Sequence, residues 1–256
     1  MTNDYYILKK ESFNLYSIFL TETNNRKIVY QCFCFLFNKY QPFIDNNKLY
    51  FNAIKVNFFD KYKRKNQNPI NSINPINSIN PIKEKILKYN ECLNIANDII
   101  SQLKYYESYS YNFIGFDPKD ILIINDENYI LINNNYLFEY NKNEEILISS
   151  IIPNFYFSSP ELIEIYYLPF SLNMRTIYFS LGSLLIYNLF GININNLFYK
   201  KKNNNTNINN NKTNTNKIIL ENLLEEIISP LKPSSLYFFL KLIIKYEPQE
   251  RYLVFI

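Results

Sequence analysis

Apolar residues recur along the chain with two different periods. Through residues 5–60 they fall in short alternating runs rich in Tyr, Phe, Ile and Val, among them SIFLTE (17–22) and KIVYQCFCF (27–35), separated by polar pairs such as Asn24-Asn25. Alternation predicts strands joined as hairpins, because successive side chains of a strand point to opposite faces. From residue 84 the spacing turns helical: Leu93, Ala96, Ile99, Ile100 and Leu103 form one stripe at i, i+3 and i+4. The run ILIINDENYILI (121–132) predicts two more strands around Asn125-Asp126-Glu127-Asn128, and helices are predicted over about 159–167, 176–190, 218–229 and 233–245. A small β-rich part followed by a larger helical part that holds one hairpin is an α+β layout in two lobes.

Two segments read as insertions. Residues 68–82 repeat NPINSI with a proline in each unit, which forbids both helix and central strand. Residues 200–217 are an Asn/Lys/Thr tract with a single aliphatic side chain, Ile208. Both are expected to be surface loops, giving an N-lobe at 1–64, an insertion at 65–83, and a C-lobe at 84–256 that carries the loop 200–217. The uncharged stretch Thr176–Tyr199 has a strongly apolar part only from Ile177 to Phe190. That is shorter than the roughly 20 residues a bilayer needs, so a buried core helix is expected and no membrane span.

Composition removes several chemistries. The 256 residues include no His, which excludes Ser-His-Asp triads, Cys-His dyads and histidine bases. Glycine occurs only at Gly115, Gly182 and Gly191, so no Gly-rich phosphate loop can form. The three cysteines, Cys32, Cys34 and Cys92, make neither a disulfide framework nor a four-ligand zinc site, and fit a reducing, cytoplasmic setting. The N-terminus shows no signal peptide. Net charge is +4, and the basic runs KYKRK (61–65) and KKK (200–202) lack aromatic platforms, so they read as solvated charge rather than a nucleic-acid surface.

Four segments then carry a resemblance in order and spacing. FDPKDILIINDENYILI (116–132) resembles the catalytic loop and following hairpin of protein kinases, and SSPEL (158–162) the Ala-Pro-Glu motif. YFSLGSLLIYNLFG (178–191) is similar to their central buried helix, and YEPQER (246–251) to the late Asp-Pro-x-x-Arg. ESFNLYSIFLTETNNRKIVYQ (11–31) runs by length and apolar pattern against the Gly-rich hairpin and the strand bearing the ATP lysine. The resemblance implies a two-lobed protein-kinase-like fold, with a small β-rich N-lobe and a larger helical C-lobe.

Carried over position by position, the resemblance implies lost chemistry. Phosphoryl transfer needs a phosphate-cradling loop, a Lys on the phosphates, a Glu holding that Lys, metal ligands, and an Asp beside the attacking hydroxyl. The three loop glycines fall on Lys9, Glu11 and Asn14, and the lysine falls on Gln31; no Glu occurs between Glu22 and Glu84 to pair with one. The catalytic Asp falls on Gly115, the catalytic-loop Lys on Asp117, the metal-binding Asn on Asp120, and the metal-binding Asp on Asn133 in the run Asn133-Asn134-Asn135. Slipping the register so that Asp117-Pro118-Lys119 mimics the catalytic Asp-x-Lys places Leu122 at the metal position, where it cannot bind Mg²⁺.

Framework positions persist. Glu161 and Arg251 occupy the positions whose ion pair ties the activation segment to the end of the lobe, while two polar anchors become Phe113 and Ile177. The expectation is an inactive serine/threonine-kinase-like domain, a pseudokinase, with no cofactor and no metal. It would act as a scaffold or allosteric regulator of a protein partner, another kinase being one candidate. Two alternatives stand: an atypical active serine/threonine kinase that binds ATP, and a C-lobe-only interaction domain, since residues 33–64 match the helix-and-hairpin of a kinase small lobe poorly.

Overall fold

The computed structural model describes residues 2–3, 6–20, 25–60, 87–152, 155–204 and 212–256. Its first part is an antiparallel sheet of β1 (Thr2–Asn3), β2 (Tyr6–Lys10), β3 (Leu15–Leu20), β4 (Phe43–Asp45) and β5 (Lys48–Asn52), in the order β1-β2-β3-β5-β4. Alternation sets the register: Leu8 lies opposite Ile18, Ile18 opposite Leu49 and Tyr16 opposite Phe51, all buried on one face. The β4–β5 turn uses Asn46 and Asn47 at φ 45° and 62°, a left-handed conformation that Asn tolerates better than most residues.

Between β3 and β4 runs helix α1 (Arg26–Leu36), which corrects the strand expected over KIVYQCFCF. The run satisfies both periods. Ile28, Val29, Cys32 and Phe33 also fall at i, i+1, i+4 and i+5, and that stripe is buried, with the Phe33 ring 5.0 Å from that of Phe51. Covering the apolar face of the sheet is what decides between the two periods.

The second part is built around α2 (Tyr89–Glu107) and α4 (Thr176–Phe190). The predicted hairpin forms as β8 (Ile121–Ile124) and β9 (Asn128–Leu131), joined at its edge by β6 (Val56–Phe58). Buried Gln102 on α2 donates to the Tyr129 carbonyl and accepts from the Leu131 amide, both at 2.9 Å, and fastens the hairpin to the helix. Two further pairs, β7 (Tyr111–Phe113) with β10 (Leu137–Glu139) and β11 (Glu145–Ile148) with β12 (Phe170–Asn173), have no counterpart in the sequence reading. The helix expected over 159–167 is the single turn α3 (Pro160–Ile163).

The last helices are α5 (Ile194–Asn204), α6 (Lys212–Ile228) and α7 (Ser235–Ile243). Residues 200–204 and 212–217 are therefore helical, which corrects the loop expected over 200–217; 205–211 lie outside the described residues. Asn216 explains part of the difference, because it is buried and donates to the Tyr246 hydroxyl at 3.2 Å. The repeat at 68–82 also lies outside the described residues.

The fold is thus mixed α+β, with seven helices and small antiparallel sheets among the described residues. Its two parts are tied together by hydrogen bonds from Tyr40 to Asn128 (2.7 Å) and from Asn25 to the Leu137 carbonyl. Among the described residues no single helix is long and apolar enough to cross a membrane; only α4 with the start of α5 passes on length and composition, as a pair bent by 99°.

Candidate functional site

Asp117-Pro118-Lys119-Asp120 forms one tight turn just before β8, with Pro at its first helical position. The Asp120 carboxylate folds back so that one oxygen accepts the Asp117 amide at 2.8 Å, while the other accepts the Asn133 side-chain amide at 2.9 Å. The structure therefore brings Asp120 and Asn133 together, and each consumes the other. Asn133 also accepts from the Asn135 amide at 3.1 Å, capping the turn Asn134–Tyr136. Asp120 is fully buried. Burial pushes its pKa up to about 6, against the opposing pull of the Asp117 and Asn133 hydrogen bonds.

Asp117 serves as a strut. It accepts the Tyr156 amide at 2.7 Å, which ties the turn to the segment before α3, and Lys119 stands 3.9 Å from its carboxylate. From the other side Tyr6 on β2 donates to the Lys119 carbonyl, so the sheet reaches the same turn.

Gly115 follows β7 in the buried centre. A Cβ built there would stand 2.3 Å from the ring of Phe155, so that ring lies directly on the glycine backbone. Phe155 is itself buried and packs edge-on against Tyr136, with centroids 4.6 Å apart at 85°. The space that a side chain at 115 would need is filled by aromatic carbon.

Gln31 is not brought to this centre. It is exposed on α1, so the alignment that set it on the lysine-bearing strand is corrected, for the reason that corrects the strand itself. The strand entering α1 is β3, LYSIFL, which contains no Lys, and α1, RKIVYQCFCFL, contains no acidic residue. Neighbouring Tyr30 makes the connection between them. Its hydroxyl accepts the Leu20 amide at 3.0 Å and has the carbonyls of Ile18 and Asn47 each at 3.1 Å for its one proton.

Glu161 and Arg251 meet as a two-pronged pair, with Nη1 to Oε1 at 2.5 Å and Nη2 to Oε2 at 2.9 Å. Pro160 opens α3 and Glu161 lies in its first turn, while Arg251 follows the turn Pro248–Glu250. The guanidinium is fully buried. It also donates to the carbonyls of Lys245 (2.9 Å) and Tyr246 (3.0 Å) and stacks over the Phe179 ring at 5.2 Å. A fork of this kind is specific to Arg.

Sequence reasoning missed Tyr30, Phe155 and Tyr136. No motif marks them; each is one aromatic in a chain where aromatics make up 18%. Among the described residues no group of His, Cys, Asp and Glu is placed to hold a metal ion. The arrangement can position backbone and fill space: both Asp120 oxygens accept protein hydrogen bonds, and the partly exposed Asp117 carboxylate is tied to the Tyr156 amide. No protein-family model matches the chain, and no curated protein sequence matches it either.

Proposed function

We propose that this chain is a two-lobed protein-kinase-like domain that transfers no phosphate and works by binding a protein partner, as a scaffold or an allosteric regulator. Another kinase is one class of partner that suits such a role. The fold reading is supported by the ordered motifs in 116–132, 158–162, 178–191 and 246–251. It is supported further by a five-stranded sheet with one helix inserted before its last hairpin, and by the Glu161–Arg251 fork. The same helix and hairpin, Arg26–Leu36 and Phe43–Asn52, weigh against an interaction domain built from a C-lobe alone.

The observation that carries the inactive reading is the closed centre at Gly115, Asp120 and Asn133. A phosphotransferase must leave a carboxylate beside the attacking hydroxyl and oxygen ligands open to the metal-bound phosphates. Here the first place holds the Phe155 ring, and the carboxylate at the second, Asp120, is buried with both oxygens accepting protein hydrogen bonds. The test is a phosphotransfer assay with radiolabelled Mg·ATP and general protein acceptors, paired with affinity purification from the source cells. No transfer together with recovery of a reproducible protein partner is expected. Transfer abolished by Asp117→Asn or Asp120→Asn would refute the reading in favour of an atypical active kinase.

A further inference from the structure

Helix α1 packs on one face of the five-stranded sheet, and among the described residues the opposite face is open to solvent. Lys9 lies opposite Ser17, Ser17 opposite Tyr50, and Tyr50 opposite Phe43, so four strands lay one row of side chains across it. The Phe43 and Tyr50 rings stack with centroids 5.0 Å apart and 7° between their planes. In the next row Ile7 lies opposite Phe19, and the Arg26 guanidinium stands 5.9 Å from the centre of the Phe19 ring. Ile7 and Phe43 are 46% and 50% exposed. This surface plays no part in the turn at 117–120 and is independent of the kinase-like reading.

The charge on this side of the molecule is mostly of one sign. Residues 6–20 and 25–55 hold seven Lys and Arg against two Asp and Glu, although the whole chain is only +4, so the positive surplus sits here. Of the two acids, Glu11 is held between the Lys9 ammonium and the Ser17 hydroxyl, each at 2.7 Å, and Asp45 lies opposite Lys48 at the sheet edge. Neutral amides flank the stacked rings: Asn46 and Asn47 in the β4–β5 turn, and exposed Gln41 and Asn52, hydrogen-bonded to each other at 3.0 Å. None of these residues belongs to the basic runs at 61–65 and 200–202. The surface exists only once the strands have paired.

We propose that this face binds single-stranded RNA. Unpaired bases stack on aromatic rings while phosphates take the surrounding cations, the combination by which open sheet faces hold single strands. A duplex would keep its base faces stacked on one another and away from the rings. An acidic peptide would use the cations and leave the rings without partners. An apolar protein surface would cover the rings at the cost of burying Lys9, Lys48 and Glu11 away from water. RNA suits the flanking amides better than DNA does, because its 2′-hydroxyl both donates and accepts.

The test uses the full chain and a fluorescein-labelled oligouridylate of about 12 nucleotides, within the site sizes usual for single strands, followed by anisotropy at low salt. The matching oligothymidylate and a double-stranded RNA serve as comparisons. The variants are Phe43→Ser and Tyr50→Thr on the stacked pair, Lys48→Gln beside it, and Lys142→Gln as a remote control at an exposed site. Phe43 is half exposed on an edge strand, so its variant keeps the sheet. Saturable binding of the oligouridylate is expected, weakened about fivefold or more by each ring variant. Lys48→Gln should flatten the slope of log K against log salt by about 0.7, the share of one phosphate on a single strand, and Lys142→Gln should change neither quantity. Oligothymidylate and the duplex should each bind several-fold more weakly. The proposal is overturned by no saturable binding of the oligouridylate, or by binding that both ring variants leave unchanged, which would mark attraction by charge alone. Duplex or oligothymidylate binding as tightly as the oligouridylate would equally overturn it.

Discussion

Cutting the Glu161–Arg251 fork should cost more than any other single polar change in the described residues. Glu161→Ala leaves a guanidinium that is 0% exposed without its counter-charge, while its bonds to the Lys245, Tyr246 and Arg175 carbonyls survive. Breaking a buried pair from one side costs about 3–5 kcal/mol. The Glu161 side chain is 17% exposed, so water can reach part of the gap, and about 3 kcal/mol is expected. Arg251→Ala removes the same fork, the contact over Phe179 and the donors to three carbonyls, so about 4–5 kcal/mol is expected. The double variant should lie about 2 kcal/mol or more below the sum, because the fork can be lost only once. Urea unfolding followed by circular dichroism and by the fluorescence of the 24 tyrosines, in a chain without Trp, supplies the three free energies with a check on the slopes. Effects of about 0–1 kcal/mol each that simply add would mean a solvent-screened pair, and the reasoning from burial would be wrong.

Other expectations follow from the closed centre and from α1. Gly115→Ala drives a Cβ into the Phe155 ring and should destabilise by about 1–3 kcal/mol, with Phe155→Leu in the same chain recovering part of the loss in a melting experiment. Tyr30→Phe strands the Leu20 amide and should cost about 1–3 kcal/mol, with faster hydrogen exchange at Leu20 than in the unaltered protein. Asp120 is a carboxyl whose folded pKa is raised, so the folded state holds its proton more tightly than the unfolded chain does. Its contribution to stability is complete below its ordinary pKa of 3.8 and is lost as pH rises through about 6. Between about pH 7 and pH 5 the stability difference between the protein and Asp120→Asn should therefore move by about 1 kcal/mol in favour of the unaltered protein; a flat difference would contradict a buried, destabilised carboxylate.

The sequence exposes those features of the fold that rest on periodicity or on one strong side-chain pair. The stripe in α2, the hairpin around Asn125 and the fully apolar α4 each satisfy only one period, and each forms over nearly the residues expected. KIVYQCFCF satisfies two, and only the presence of a sheet face in need of cover selects the helix. The same ambiguity misplaced Gln31. Strands β7, β10, β11 and β12 are three or four residues long and pair with segments distant in the chain, so no local pattern announces them. The kinase resemblance singles out Asp120 and Asn133 separately, and nothing in either neighbourhood marks the hydrogen bond between them. The Phe155 ring on Gly115 is hidden in the same way, because a close approach between residues 40 apart leaves no mark on either neighbourhood.

The proposal of a kinase-like domain with a closed centre requires that the chain bind no nucleotide at that centre. Calorimetric titration of the purified chain with ATP, with and without Mg²⁺, should give no saturable heat at millimolar nucleotide and no Mg-dependent rise in melting temperature. A ligand at 100 times its Kd would stabilise the protein by about 2.7 kcal/mol, several degrees of melting temperature, so the effect could not be missed. A Mg-dependent shift of that size, abolished by Asp120→Asn, would contradict the claim and reopen the site at Asp120 and Asn133 as a nucleotide centre.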